Sequence, residues 1–127
     1  MKTLTKAYTI LTALFLSTIS NSAFCLNLRQ FPLEEKVKSS ELVIVGTITK
    51  VIKNSQDFGY DLAVVSPTIV LKGVPPKEIK VTFNGTIPEA QPDCCEIGKR
   101  YLFFVSKNPS GDYYPVNGPY GTYKLDE

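Results

Sequence analysis

Few side chains in this sequence can do chemistry. It holds three cysteines, Cys25, Cys94 and Cys95, and neither histidine nor tryptophan. Without imidazole there is no His-ligated metal, no Ser-His or Cys-His nucleophile pair, and no His acid–base chemistry. Two adjacent cysteines with no further Cys pair cannot close a tetrahedral zinc site within one chain. No Cys-x-x-Cys is present either, so the cysteines read as structural. One arrangement is a bridge from Cys25 to Cys94 or Cys95. It would close a loop of about 70 residues and contribute about 4 kcal/mol in the chain-entropy model. The other is a bond between Cys94 and Cys95 themselves. The odd number leaves a thiol that could link two chains, so the expected state is a monomer or a disulfide-linked dimer.

The acidic residues do not assemble into a catalytic pair. Glu34 and Glu35 are neighbours, so on a helix they point to different faces. Asp93 and Glu96 flank the cysteines in a loop and read as solvated charge. There is no nucleophile elbow, phosphate loop or metal motif. The expectation is a protein that is not an enzyme and needs no cofactor. The tyrosines are the most suggestive set. Tyr113, Tyr114, Tyr120 and Tyr123 fall within eleven residues, among Pro115, Asn117, Gly118, Pro119 and Gly121. Such rings either stack a sugar or anchor a protein partner, or they cover the open end of a small fold with their hydroxyls in water.

The elements that must position these residues begin after an export signal. Lys2 and Lys6 precede the uncharged run Ala7 to Ser20, and the small or polar Asn21-Ser22-Ala23 follow. That order is the signature of a secretory signal, and the run is short of the ~20 residues of a membrane-spanning helix. Residues 1–23 are therefore read as a signal peptide, with cleavage as late as residue 25. Residues 24–127 are read as one domain of a secreted or periplasmic protein. The full chain has 14 basic and 12 acidic residues. Loss of Lys2 and Lys6 leaves it formally neutral, which argues against nucleic acid and other polyanions as partners. No stable membrane insertion is expected.

The remaining pattern is mostly β. Phe31 to Ser40 predicts one short helix, its core Leu33 to Ser39. Pro32 stands at its start, Glu34 and Glu35 in its first turn, and Leu33 and Val37 on one face. Leu42–Ile52 is rich in β-branched residues and interrupted by Gly46, the mark of a bulge or bend. Phe58 to Leu71 predicts a second long strand, with Pro67 at an edge or bulge. Lys77 to Phe83 alternates at Ile79, Val81 and Phe83. Arg100 to Ser106 is the most apolar strand and the expected centre of the sheet. Asp112 to Val116 is the fifth strand, and Asn117 to Asp126 reads as a tail. Five strands and one helix predict a small all-β, OB-like barrel, because bent strands let one sheet close on itself.

Three segments carry a resemblance. Ser40-Glu-Leu-Val-Ile-Val-Gly-Thr-Ile-Thr-Lys-Val51 resembles the first strand of bacterial exported proteins similar to the tissue inhibitor of metalloproteinases (TIMP). Val70-Leu-Lys-Gly73, with Pro75 to Val81, is similar to their second link, and Cys95 to Phe104 to their "C-x-x-x-G-x-x-Y-L-x-F" segment. The resemblance covers about Leu33 to Val105 and implies an OB-fold barrel of the netrin/TIMP type. Animal inhibitors begin with Cys-x-Cys and use the first cysteine to chelate the protease zinc. Here Leu26-Asn27 follow Cys25, so no inhibitory residue is carried over. The expected function is a non-enzymatic module that binds another exported or envelope protein, as a protease inhibitor or an envelope adaptor. The alternative is a carbohydrate- or peptidoglycan-binding barrel using the four tyrosines.

Overall fold

A computed structural model describes residues 28–125. The signal segment and Cys25 lie outside the described residues. The chain runs through helix α1 (Leu33–Ser39) and strands β1 (Leu42–Ile52), β2 (Asp61–Lys72), β3 (Ile79–Phe83), β4 (Arg100–Lys107), β5 (Tyr113–Pro115) and β6 (Thr122–Lys124). Short 3₁₀ turns lie at Pro88–Ala90 and Gly118–Tyr120. Five strands close into a ring in the order β1, β2, β3, β5, β4 and back to β1. All neighbours are antiparallel except β3 and β5. The small all-β barrel is thus the architecture expected from the strand pattern.

The barrel interior follows from period-two alternation. Leu42, Ile44 and Ile48 of β1, Ala63 and Val65 of β2, Val81 of β3 and Phe103 of β4 point inward and are almost fully buried. Closure requires the long strands to bend. The β1–β2 register slips at Val43/Ile44, Val45/Gly46 and Ile48/Lys50, and each slip adds local twist. Gly46 is paired with Pro67 at one of these slips and faces Tyr101 of β4 on its other side. A side chain at Gly46 would collide with Val65 Cγ1, so the bend needs the missing Cβ. Pro67 lies both beside the bulge and beyond the stretch of β2 that pairs with β3, Asp61–Val65. Its absent N–H therefore breaks no ladder.

A second, smaller core forms on the outside of the barrel, where α1 packs on Val43 of β1 and Phe104 of β4. Val37 docks there as its spacing predicts. Leu33 does not: it stays 66% exposed, and Lys36 is buried in its place. The Lys36 stem is apolar, and its ammonium lies 5.3 Å from the Phe104 ring centre and 4.9 Å from that of Tyr123. It also donates a hydrogen bond to the Tyr123 hydroxyl. Ring faces and one hydroxyl thus solvate the charge. The helix ends on Lys72 of β2, whose Nζ donates to the carbonyls of Val37, at 2.8 Å, and Ser40. A cation on those carbonyls offsets the negative end of the helix.

Two differences from the strand pattern matter for function. The second strand begins at Asp61, three residues later than Phe58, because the Asp61 carboxylate is drawn into the turn before it. Tyr60 and Phe58 are left in the β1–β2 loop. The C-terminal segment is also more than a tail. After β5, the backbone leaves the edge of β4 at Phe104, makes a 3₁₀ turn, and returns to the same edge as β6. The bonds Val116 N–H to Phe104 C=O and Phe104 N–H to Gly121 C=O, both 2.8 Å, bracket the excursion. No helix among the described residues is long and apolar enough to cross a membrane.

Candidate functional site

The four C-terminal tyrosines separate on folding. Tyr113 points into the barrel core and is 8% exposed. Tyr123 packs edge-on against Phe104, with centroids 6.1 Å apart, and holds Lys36. Tyr120 lies half-buried in the 3₁₀ turn. Only Tyr114, the outward neighbour of Tyr113 on β5, is well exposed, at 44%. Adjacent residues on a strand point to opposite faces, so the pair had to divide between core and surface. Asn117 is likewise structural. It adopts the left-handed conformation, accepts the Phe31 N–H at 2.7 Å and donates to the Arg29 carbonyl at 2.9 Å, clamping the segment that leads into α1.

Tyr114 instead shares a cleft with Tyr60, which the sequence patterns did not single out. The cleft has a volume of about 340 Å³ and is lined by Tyr60, Thr82, Gln91, Pro92, Asn108 and Tyr114 among others. Thr82 sits on the outer face of β3 yet is only 7% exposed, because these walls cover it. The Tyr60 ring and the Gln91 amide both pack on Gly85, into space a Cβ would occupy. Tyr60 owes its place to its neighbour. The Asp61 carboxylate accepts the Asn54 N–H at 2.8 Å, the Lys53 ammonium at 3.1 Å and the Asn84 amide at 3.1 Å.

Those bonds, the Asn54 N–H first, hold the Asp61 carboxyl below the usual carboxylate range, against the effect of burial. A folded-state pKa lowered in this way adds stability that is present above the ordinary pKa and lost as pH falls through the folded one. Asp61→Asn should therefore cost about 1 kcal/mol at pH 7. The gap to wild type should narrow as pH falls below the ordinary carboxylate range, because the wild-type carboxylate then takes up a proton and loses its charged bonds. Urea titrations of both proteins across pH 2.5–7 (a range set about the ordinary carboxylate pKa) check this; a gap that does not shrink toward the acid end would refute it.

The cysteines lie at one end of the barrel. Cys94 and Cys95 are half-buried, pack against the core, and have their sulfurs in contact. They line an open cleft of about 540 Å³ with Phe83, Asp93 and Tyr101. The loop carrying them is tied down just beyond. The Tyr101 hydroxyl accepts the Glu96 N–H at 2.9 Å, and Glu96 pairs with Lys124 of β6 at 2.8 Å. The Lys124 hydrogen bond and charge keep the Glu96 carboxyl below its usual range. Cys94 and Cys95 lie together, while the alternative bridge involves Cys25, which is outside the described residues. Among the described residues, no three Cys, Asp or Glu side chains gather closely enough to hold a metal ion.

A second surface stands out on β2. Its first half is covered by β3, but Ser66–Lys72 pairs with β1 alone. Ile69, Val70 and Leu71 are 50%, 48% and 63% exposed, so both faces of this half-strand are open, and Val74 beyond it is 94% exposed. Soluble proteins usually blunt such an edge with charge or proline. Here Lys72 is turned back onto the helix and Pro67 is the one protecting residue on the stretch.

No protein-family model matches the chain, and no curated protein matches it.

Proposed function

We propose that the protein is an exported, non-enzymatic binding module of TIMP-like OB fold that engages another exported or envelope protein. The observation that carries this reading is the uncharged edge Ser66–Leu71 of β2, with Ile69, Val70 and Leu71 exposed on it. A strand edge with unpaired N–H and C=O groups accepts an extended segment of a partner as an added strand, and its exposed side chains supply the apolar contact. The occupant this edge fits is an extended, apolar stretch of a second protein, paired along β2. The closed five-strand barrel and the one short α-helix among the described residues are compatible with the TIMP-like relationship.

The test compares the wild type with Ile69→Lys/Leu71→Lys, which places two charges on one face of the edge. A photo-crosslinker at Val70 captures the partner in the exported fraction, and mass spectrometry of the adduct identifies the captured segment. The charged variant should keep its thermal midpoint, as exposed substitutions usually do, and should lose about tenfold or more in affinity for that segment. Equal capture by wild type and variant would remove the reading. So would a wild-type dimer in sedimentation that the variant abolishes, since the edge would then serve a second copy.

A further inference from the structure

We propose that the cleft between Tyr60 and Tyr114 is a binding site for a short, neutral saccharide. This goes beyond the protein-binding edge, which lies on β2 and shares no residue with the cleft. The first observation is the chemistry of the lining. None of the side chains bordering the cleft is charged, although charged residues make up 20% of the chain. An anionic or cationic ligand would find no counter-charge there. A ligand made of hydroxyls and apolar ring faces would find partners for both.

The apolar partners are the two tyrosine rings, 51% and 44% exposed. They come from different elements, the β1–β2 loop and β5. Sugar rings present C–H faces that pack on aromatic surfaces, while tyrosine keeps a hydroxyl at the wet rim. The Tyr60 ring is held by its contact with Gly85 and by the bonds of Asp61 beside it, so little freedom remains to be lost on binding.

The polar partners are oriented as well. Asn108 Oδ1 accepts the backbone N–H groups of Ser110 and Asp112, each at 3.0 Å, and the Ser110 hydroxyl at 2.7 Å. Its acceptor is therefore spent within the β4–β5 turn, which leaves its Nδ2 group as a donor. Thr82 is 7% exposed as a residue and stands at the cleft wall. Among the described residues no side-chain hydrogen bond uses its hydroxyl, so it can donate to or accept from a sugar hydroxyl. Gln91 adds a second amide. The volume of about 340 Å³ lies at the lower end of small-ligand sites, which suits a short saccharide. The site also spans the outer face of β3 and the β1–β2 and β4–β5 loops, the face on which OB barrels bind extended ligands.

The experiment is a titration of the ¹⁵N-labelled mature chain with chitotetraose, cellotetraose and maltotetraose, each to ~10 mM, a range that detects millimolar affinity. At least one should shift the amides of Tyr60, Thr82, Gln91, Asn108 and Tyr114 together. Tyr114→Ala should weaken that binding about tenfold or more, and Tyr114→Phe should largely retain it. Thr82→Val, which keeps the shape and removes the hydroxyl, should weaken it with an unchanged fold, and serves if Tyr114→Ala does not fold. Silence with all three sugars overturns the proposal, as do shifts confined to another surface. A polyproline decamer that perturbs these residues while the sugars do not would also overturn it, and would assign the cleft to proline-rich peptide.

Discussion

Tyr101→Ala is expected to destabilise the barrel by about 3–5 kcal/mol. The ring is 1% exposed and packs on Phe103 with centroids 5.9 Å apart. Its removal from inside a closed ring of strands leaves a cavity that the surrounding backbone cannot collapse to fill. The hydroxyl has a separate role, because it accepts the Glu96 N–H of the loop that carries Cys94 and Cys95. Tyr101→Phe removes that bond alone and should cost about 1 kcal/mol. Urea unfolding separates the two effects: the midpoint should fall slightly for Phe and steeply for Ala, with similar slopes. For a domain of about 100 residues the larger loss lowers the thermal midpoint by roughly 15–30 °C. A Tyr101→Ala protein within about 1 kcal/mol of wild type would mean the ring is not packed in the core.

Gly73→Ala should be the most damaging of the small substitutions. Gly73 has φ +82°, and a Cβ there would strike the Glu41 carbonyl oxygen and lie 2.6 Å from Leu42 Cδ2. The obstacle is backbone, just before β1, so neither side can move without shifting a strand. The left-handed conformation alone costs an alanine about 1 kcal/mol, and the collision adds about 1–3 kcal/mol. Gly98 provides the comparison. It has φ +85° with nothing within 4 Å of its would-be Cβ, so Gly98→Ala should show the conformational cost of about 1 kcal/mol by itself. Thermal unfolding of the two variants should therefore separate them by several degrees. Equal losses would show that the approach of Gly73 to Glu41 does not constrain the fold. The same corner explains the Val70-Leu-Lys-Gly73 segment. Lys72 caps the helix carbonyls, and Gly73 lets the chain turn beside the residue that leads into β1.

Where a residue's effect is local, it was legible before the structure. The bend at Gly46, the edge position of Pro67, the inward alternation of Ile79, Val81 and Phe83, and the helix at Leu33–Ser39 each follow from backbone sterics or from a period-two or period-3.6 pattern. The central place of β4 follows from its apolar content, and it is the strand paired with β1, β5 and β6. Local pattern could not separate Leu33 from Lys36, because both lie near one helix face. Lys36 is buried because the Phe104 and Tyr123 rings, from β4 and β6, meet its ammonium. Nor could it find β6, a three-residue strand that pairs, among the described residues, with the edge of β4 left free by β5.

The sequence by itself determined the class of fold and the kind of chemistry open to it. The absence of histidine removes imidazole chemistry, and bent β-branched strands close into a small barrel. Tertiary structure alone decided which surfaces are open. Tyr60 and Tyr114 are more than 50 residues apart in the chain, and their cleft forms only when the β1–β2 loop, β3 and the β4–β5 turn converge around Thr82. The β2 edge is bare because β3 begins only at Ile79, opposite Val65, and leaves the later half of β2 without a second neighbour. Exposure depends on what another part of the chain leaves uncovered, and a local stretch of sequence records only which faces are apolar, not which of them find a neighbour.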